Sequence, residues 1–128
     1  EKSFAEGMER RHKGVVSVIG RMSMSQEMDL IGNLDAIVTM DSATMHIASL
    51  LGIPVVSVWG ATHPFAGFYG YGQHPDNAVQ ADLPCRPCSV FGDRPCISGD
   101  YRCLSSIRPQ EIADRVAKAV AAQKSDRR

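Results

Sequence analysis

Three apolar, β-branched runs set the terms for this chain: Val15-Val16-Ser17-Val18-Ile19, Ala36-Ile37-Val38-Thr39-Met40 and Ile53-Pro54-Val55-Val56-Ser57-Val58-Trp59. Gly14 and Gly20 bound the first, and Pro54 is tolerable near the start of the third. Helical spacing lies between them. Met28, Leu30, Ile31 and Leu34 mark an apolar face that Ser25 can cap, and a second helix fits residues 44–51. Strand, helix, strand, helix, strand at this spacing is the pattern of a parallel α/β sheet, whose strands need cover on both faces. The sequence therefore predicts parallel strands over residues 15–19, 36–40 and 53–59, as half of a doubly wound, Rossmann-like domain. A short helix over residues 2–12 precedes them. A strong final helix begins at Pro109, with Ile112, Val116 and Val120 recurring every four residues and Ala113 and Ala119 widening the stripe.

The segment Asp41-Ser42-Ala43-Thr44-Met45-His46-Ile47-Ala48 joins the second strand to the next helix. Ser42 is a good N-cap residue, and Gly52 and Pro54 stop the helix. A helix that starts at the carboxyl end of a buried strand aims backbone N–H groups and its positive dipole end at one spot. In an open α/β sheet ligands bind there, and the natural ligand is an anion such as phosphate. His46 falls about one turn into the helix, within reach of such an anion.

At 128 residues and 44% hydrophobic, the chain suits one compact domain. Basic and acidic residues balance at 14 each, so no broad electrostatic footprint for nucleic acid or an acidic membrane is present. No apolar run approaches the length of a membrane span, and the charged start Glu1-Lys2-Ser3-Phe4 does not read as a signal peptide. The ending Lys124-Ser125-Asp126-Arg127-Arg128 reads as polar, and a disordered tail is expected over 123–128. After Trp59 a long stretch rich in Gly, Pro and aromatics leaves the same sheet edge as the Asp41 turn, and long loops of this kind are usually functional.

Cys85, Cys88, Cys96 and Cys103 follow in the pattern C-x2-C-x7-C-x6-C, and no cysteine lies elsewhere. The opening C-R-P-C is like half a zinc knuckle, and four thiolates satisfy tetrahedral zinc. The second pair is spaced less typically. Structural zinc, free or partly paired thiols, and two disulfides all stay open, with a cytosolic setting disfavouring disulfides.

Taken together, these pieces resemble the C-terminal domain of glycosyltransferase family 9, the ADP-heptose:lipopolysaccharide heptosyltransferase family. The resemblance is carried by Gly20-Arg21-Met22-Ser23, by the run from Leu34 through Ala48, by Leu51-Gly52-Ile53-Pro54-Val55-Val56 and on to His63-Pro64, and by the cysteine segment with Cys103-Leu104-Ser105-Ser106-Ile107-Arg108-Pro109. It implies the Rossmann-like half of a two-domain GT-B glycosyltransferase, truncated at its N-terminal side. Residues 1–128 would then be a single partial domain, with the cysteine-rich segment 85–103 inside it.

The resemblance also implies roles. Asp41, Ser42, Ala43, Thr44 and His46 match the turn that cradles the donor's phosphates and neighbouring sugar. Thr62 and His63 match the loop facing the interdomain cleft, Met22 a position beside the adenine base, and Glu1 or Lys2 an acid that bonds the ribose. Ala43 stands where the family usually has Gly, which keeps the N–H donor but narrows the backbone geometry. The implied reaction is inverting transfer of a sugar, heptose or a relative, from a nucleotide diphosphate sugar such as ADP-heptose to a lipopolysaccharide or other glycan. The acceptor and the general base would belong to a domain outside this chain, so the chain alone is expected to be inactive. No cofactor is required beyond the structural zinc weighed above. The implied setting is cytoplasmic, peripheral at the inner membrane for the whole protein. A half-sheet leaves a strand edge that favours self-association. Two competing readings are a non-catalytic nucleotide-binding domain and a zinc-stabilised interaction module built on the cysteines.

Overall fold

The computed structural model describes residues 1–126 and divides into two compact units, Glu1–Leu30 and the chain from Ile31 onward. The first unit carries α1 (Lys2–Arg11), whose last turn holds Arg10 and Arg11 against the negative end of the helix dipole. Glu9 of this helix pairs with Arg21 at 3.2 Å. Helix α2 (Met24–Gly32) runs across the boundary. Its start is a capping box set by Ser23, not Ser25. Gln26 N donates to Ser23 Oγ at 3.4 Å, and Ser23 N donates back to Gln26 Oε1 at 2.9 Å.

Residues 15–19 form no strand, which corrects the first of the three expected strands. Their bonds are turn bonds, Val15 N to His12 O at 3.2 Å and Arg21 N to Val18 O at 3.0 Å, and Val16 is 71% exposed. β-branched residues favour an extended chain, but only a ladder partner makes a strand.

The second unit is built on β1 (Ile37–Met40), α3 (Ala43–Leu50), β2 (Val55–Trp59), β3 (Ala78–Gln80), α4 (Arg102–Ser105) and α5 (Pro109–Asp126). The sheet has the order β1-β2-β3 and is parallel throughout, with Ile37 opposite Val55 and Ser57 opposite Ala78. The expected parallel pairing of the strands on either side of α3 is therefore present. The third place in the sheet belongs to β3, too short and too poorly flanked to stand out in the sequence.

Central β2 explains the two-sided core. Val55 and Trp59 pack with Ile31, Met45, Ala48 and Ile53 on the α3 side. Val56 packs with Val79 and Ala119 on the α5 side, joined by Val58, Ile112 and Val116. Alternate residues face opposite ways, so a strand buried on both faces must be apolar nearly throughout. The exception, buried Ser57, shares a face with Trp59 and accepts its indole N–H at 2.8 Å. Helix α5 continues to Asp126, so residues 123–126 are helical where a polar tail is expected; residues 127–128 lie outside the described residues.

The stretch from β2 to β3 is ordered by its own side chains. Gln73 acts as a surrogate strand partner: its Oε1 accepts from Val55 N at 2.8 Å and its Nε2 donates to Ile53 O at 3.0 Å. Gly70 is buried against α3, where a Cβ would stand 2.3 Å from Ser49 Oγ. Among the described residues no helix is long and apolar enough to cross a membrane.

Candidate functional site

The sheet's carboxyl edge opens at the turn after β1. Met45 and Ala48, both buried, anchor α3 to the sheet, so its first residue stands directly after the end of the strand. Ser42 occupies the N-cap position with extended backbone, φ −159 and ψ 165. Its side chain does not cap the helix, contrary to expectation. The hydroxyl instead bonds Thr39 Oγ1 at 2.9 Å, tying the turn to the strand. The first N–H groups of a helix have no intrahelical partner, and here no side chain of the N-cap residue takes one. Met45 N already donates to Ser42 O at 3.1 Å, and the Ser42 side chain takes none of the remaining donors at this site of positive dipole character. Asp41, Ser42 and Thr44 are half-buried, and Ala43 and His46 are exposed.

Beside this turn lies a cavity of about 290 Å³ whose walls include Asp41, Thr62, Arg94 and three of the cysteines. Met40 and Val58, from the ends of β1 and β2, form its floor. The structure therefore brings Asp41 and Thr62 together, as expected for two loops leaving neighbouring parallel strands. Arg94 brings a cation to the same cavity. No sequence motif marks it, because an arginine in a Gly/Pro/Ser-rich segment carries no periodic signal.

His63 plays a different part. Its Nδ1 accepts from Phe65 N at 3.1 Å and caps the 3₁₀ turn Pro64–Ala66, and its ring lies 4.4 Å from that of Phe65. It lines a separate, smaller cavity with Gln80, Asp82 and Arg86. Glu1 and Met22 both belong to the first unit, Glu1 at the N-cap of α1 and Met22 in the bend before α2.

Arg86 is the residue whose role the sequence hides most completely. Inside C-R-P-C it reads as a spacer, yet its guanidinium is the centre of the post-β2 region. Nε donates to Gly60 O at 2.6 Å, Nη1 to Ala81 O at 2.5 Å, and Nη2 to Thr62 O at 2.9 Å and to Gln80 Oε1 at 3.1 Å. Cys88 N adds a bond to Ala61 O at 2.9 Å. The motif thereby holds the chain that carries Thr62. Partial burial lowers the Arg86 pKa, and neighbouring Cys103, Cys85 and Cys88 oppose that shift.

All four cysteines are free thiols, from exposed Cys85 to buried Cys103. Among the described residues no three His, Cys, Asp or Glu side chains stand together in metal-binding geometry. Desolvation pushes the Cys88 thiol up, and the charges of Cys85, Cys103 and Cys96 add to the shift. The Cys96 thiol is lowered, first by its bond with Ser98 Oγ and then by the backbone at Tyr101.

Comparison with known proteins gives the site a setting. The profile of glycosyltransferase family 9 (heptosyltransferase) matches residues 1–96. The chain is 39% identical over 49 residues to lipooligosaccharide heptosyltransferase 2 of Haemophilus influenzae, covering 38% of this chain and 14% of that protein. It is 33% identical over 73 residues to lipopolysaccharide heptosyltransferase 1 of Pseudomonas aeruginosa, covering 56% of this chain and 20% of that protein. A lipooligosaccharide heptosyltransferase 2 from Campylobacter jejuni is 26% identical over 84 residues, 66% of this chain and 25% of the relative. The matches thus span no more than a quarter of the length of these relatives. No solved structure matches the chain.

Proposed function

The chain belongs to glycosyltransferase family 9, and from that premise we propose that it is the donor-binding part of an inverting GT-B glycosyltransferase. The sugar is heptose or a relative, carried on a nucleotide diphosphate such as ADP. The acceptor is a lipopolysaccharide core or a similar glycan, bound by a second domain that also supplies the general base. The whole enzyme would work on the cytoplasmic side of the inner membrane, where such acceptors are assembled.

One observation carries this reading: the uncapped start of α3 at the carboxyl end of β1, with the Ser42 hydroxyl drawn back to Thr39. In the reaction an acceptor hydroxyl attacks the anomeric carbon, the bond to the diphosphate breaks, and negative charge grows on the departing phosphate. Oriented N–H groups matter most where charge develops in the transition state. Ala43 and Thr44 offer such groups, and exposed His46 stands one turn on, where its ring can donate to the same anion. Arg94 supplies a counter-charge from the cavity wall. Asp41 is a poor phosphate ligand because like charges repel, and its place is beside the turn rather than on the anion. Thr62 faces the same cavity.

Calorimetric titration of the full-length protein with ADP and ADP-sugars tests the reading. Saturable binding is expected, and His46→Ala should weaken it by about 1–3 kcal/mol, the range for a charge-assisted hydrogen bond. An unchanged affinity in a folded His46→Ala variant removes that residue from the site. A diphosphate bound away from the Ser42–His46 turn overturns the site itself. The chain alone is expected to transfer no sugar, even with the right donor and acceptor.

A further inference from the structure

A second cleft lies at the opposite end of the sheet from the Asp41 turn. Pro54 stands just before β2 and Asn77 just before β3, so its walls include the segments that enter these parallel strands rather than those that leave them. Its volume is about 860 Å³, against about 290 Å³ beside Asp41. One wall is α5, where Arg115, Lys118, Ala119 and Ala122 share a helix face. The loop over residues 71–77 supplies another.

Side-chain bonds to backbone hold these walls together. Tyr69 Oη donates to His74 O at 2.7 Å, and Gln123 Nε2 donates to Gly52 O at 3.2 Å. Gln73 bridges Ile53 O and Val55 N, and the Arg115 guanidinium donates to Asp76 O, tying α5 to the loop. The cleft is therefore framed by the protein's own contacts.

Its charge is unbalanced. Arg115 is half-buried and Lys118 exposed, and among the described residues neither forms an ion pair. A guanidinium has five N–H donors, and the bond to Asp76 O occupies one. The Asp76 carboxylate lies 3.8 Å from His74 Nδ1. Two cations facing one concavity focus a positive potential there. Tyr71 is 80% exposed and offers an aromatic face with a polar tip. We propose that this cleft binds a phosphorylated sugar, with its phosphate on Arg115 and Lys118, its hydroxyls on Asp76 and Asn77, and its ring against Tyr71.

Each part of the cleft suits one part of that ligand. A guanidinium and an ammonium give charge-assisted bonds to phosphate oxygens. The Asp76 carboxylate repels phosphate but accepts from sugar hydroxyls, which turns the anionic end of the ligand toward α5. Small Ala119 and Ala122 leave room between these groups. Clefts of about 300–1,000 Å³ hold small organic ligands, and a lone phosphate would leave this one mostly empty.

Calorimetric titration of the full-length protein with glucose 6-phosphate, glucose and inorganic phosphate tests the proposal. Saturable binding of glucose 6-phosphate is expected, tighter than that of glucose or phosphate and weakened by added salt. Lys118→Glu should weaken it by about 10–100-fold, the factor for a charge-assisted bond. Ala122→Trp leaves the charges in place but fills the cleft, and should abolish binding. Both positions are exposed, and an unchanged circular dichroism spectrum confirms that each variant folds. Glucose 6-phosphate binding should persist in His46→Ala, and ADP binding in Lys118→Glu, so this site and the donor site stand or fall separately. Absence of glucose 6-phosphate binding overturns the proposal, and so does wild-type affinity in either Lys118→Glu or Ala122→Trp. Glucose or inorganic phosphate binding as tightly as glucose 6-phosphate overturns the assignment of the ligand as a phosphorylated sugar.

Discussion

At the scale of the residue, Arg86 concentrates more of the site's architecture than any residue the motifs single out. Its planar fork meets three carbonyl oxygens and one amide oxygen whose directions differ. Lysine offers one compact ammonium and cannot match that spread. Arg86→Ala should cost about 2–4 kcal/mol in urea denaturation, since part-buried carbonyls lose charged partners, and Arg86→Lys should recover only a minor share. Equal stability of the wild type and Arg86→Ala would mean that water replaces the fork. Gly70 presents the opposite case, a residue needed for what it lacks. A Cβ there meets Ser49 Oγ at 2.3 Å, and that hydroxyl is itself held by Met45 O at 2.7 Å. Overpacking predicts that Gly70→Ala destabilises by about 1–3 kcal/mol. Removing the hydroxyl with Ser49→Ala should relieve much of this in the double variant, because the two changes share one contact. Simple additivity of the two single changes would contradict the steric account.

Elements divide by how local their causes are. The helix faces of α3 and α5 and the runs in β1 and β2 are written in neighbouring residues, and the sequence places them within a few positions. The strand expected at residues 15–19 fails because the segment closes into turns, Val15 N to His12 O and Arg21 N to Val18 O, and finds no ladder partner. No local pattern says which of two extended segments finds a ladder. Gln73 holds the start of β2 from a distant loop position, a contact invisible to periodicity. The candidate site is legible to the same degree: the turn at Asp41 and Ser42 follows from local chemistry, but Arg94 reaches its cavity, and Arg86 the chain carrying Thr62, only through tertiary folding. The cysteine segment is held by two short Ser–Asp turns, and these make it acid-sensitive. The Asp93 carboxyl is pulled below its ordinary range by Ser89, and the Asp100 carboxyl by Ser98. A depressed folded pKa gives stability that is present above the unfolded value, about pH 4, and is lost as pH falls through the folded value. NMR titration should show both carboxyls protonating below free aspartate, and Ser89→Ala should return Asp93 toward the ordinary midpoint. Ordinary midpoints in the wild type would remove these turns as the cause.

At the scale of the whole molecule, the three-stranded sheet has two edge strands, β1 and β3, which are covered differently. Residues from β2 and β3 pack under α5, with Val56 and Val79 fully buried. β1 is an edge strand, and two of its four residues, Val38 and Met40, are each 48% exposed. Parallel strands are normally covered on both faces, and an edge that combines free backbone groups with apolar side chains is a template for pairing. The relatives that match this chain are several times longer than the matched stretch, and in the proposed two-domain enzyme further elements would cover such an edge. The 128-residue chain studied by itself should therefore self-associate, with sedimentation velocity showing mass rising with concentration. Val38→Lys places a charge on the exposed face of the edge, the device natural sheets use against pairing, and leaves the β2 ladder intact. The variant should sediment as a monomer while keeping the wild-type circular dichroism spectrum. Association that persists in Val38→Lys would shift attention to another apolar surface, and a monomeric wild type would show that β1 is already protected in the chain itself.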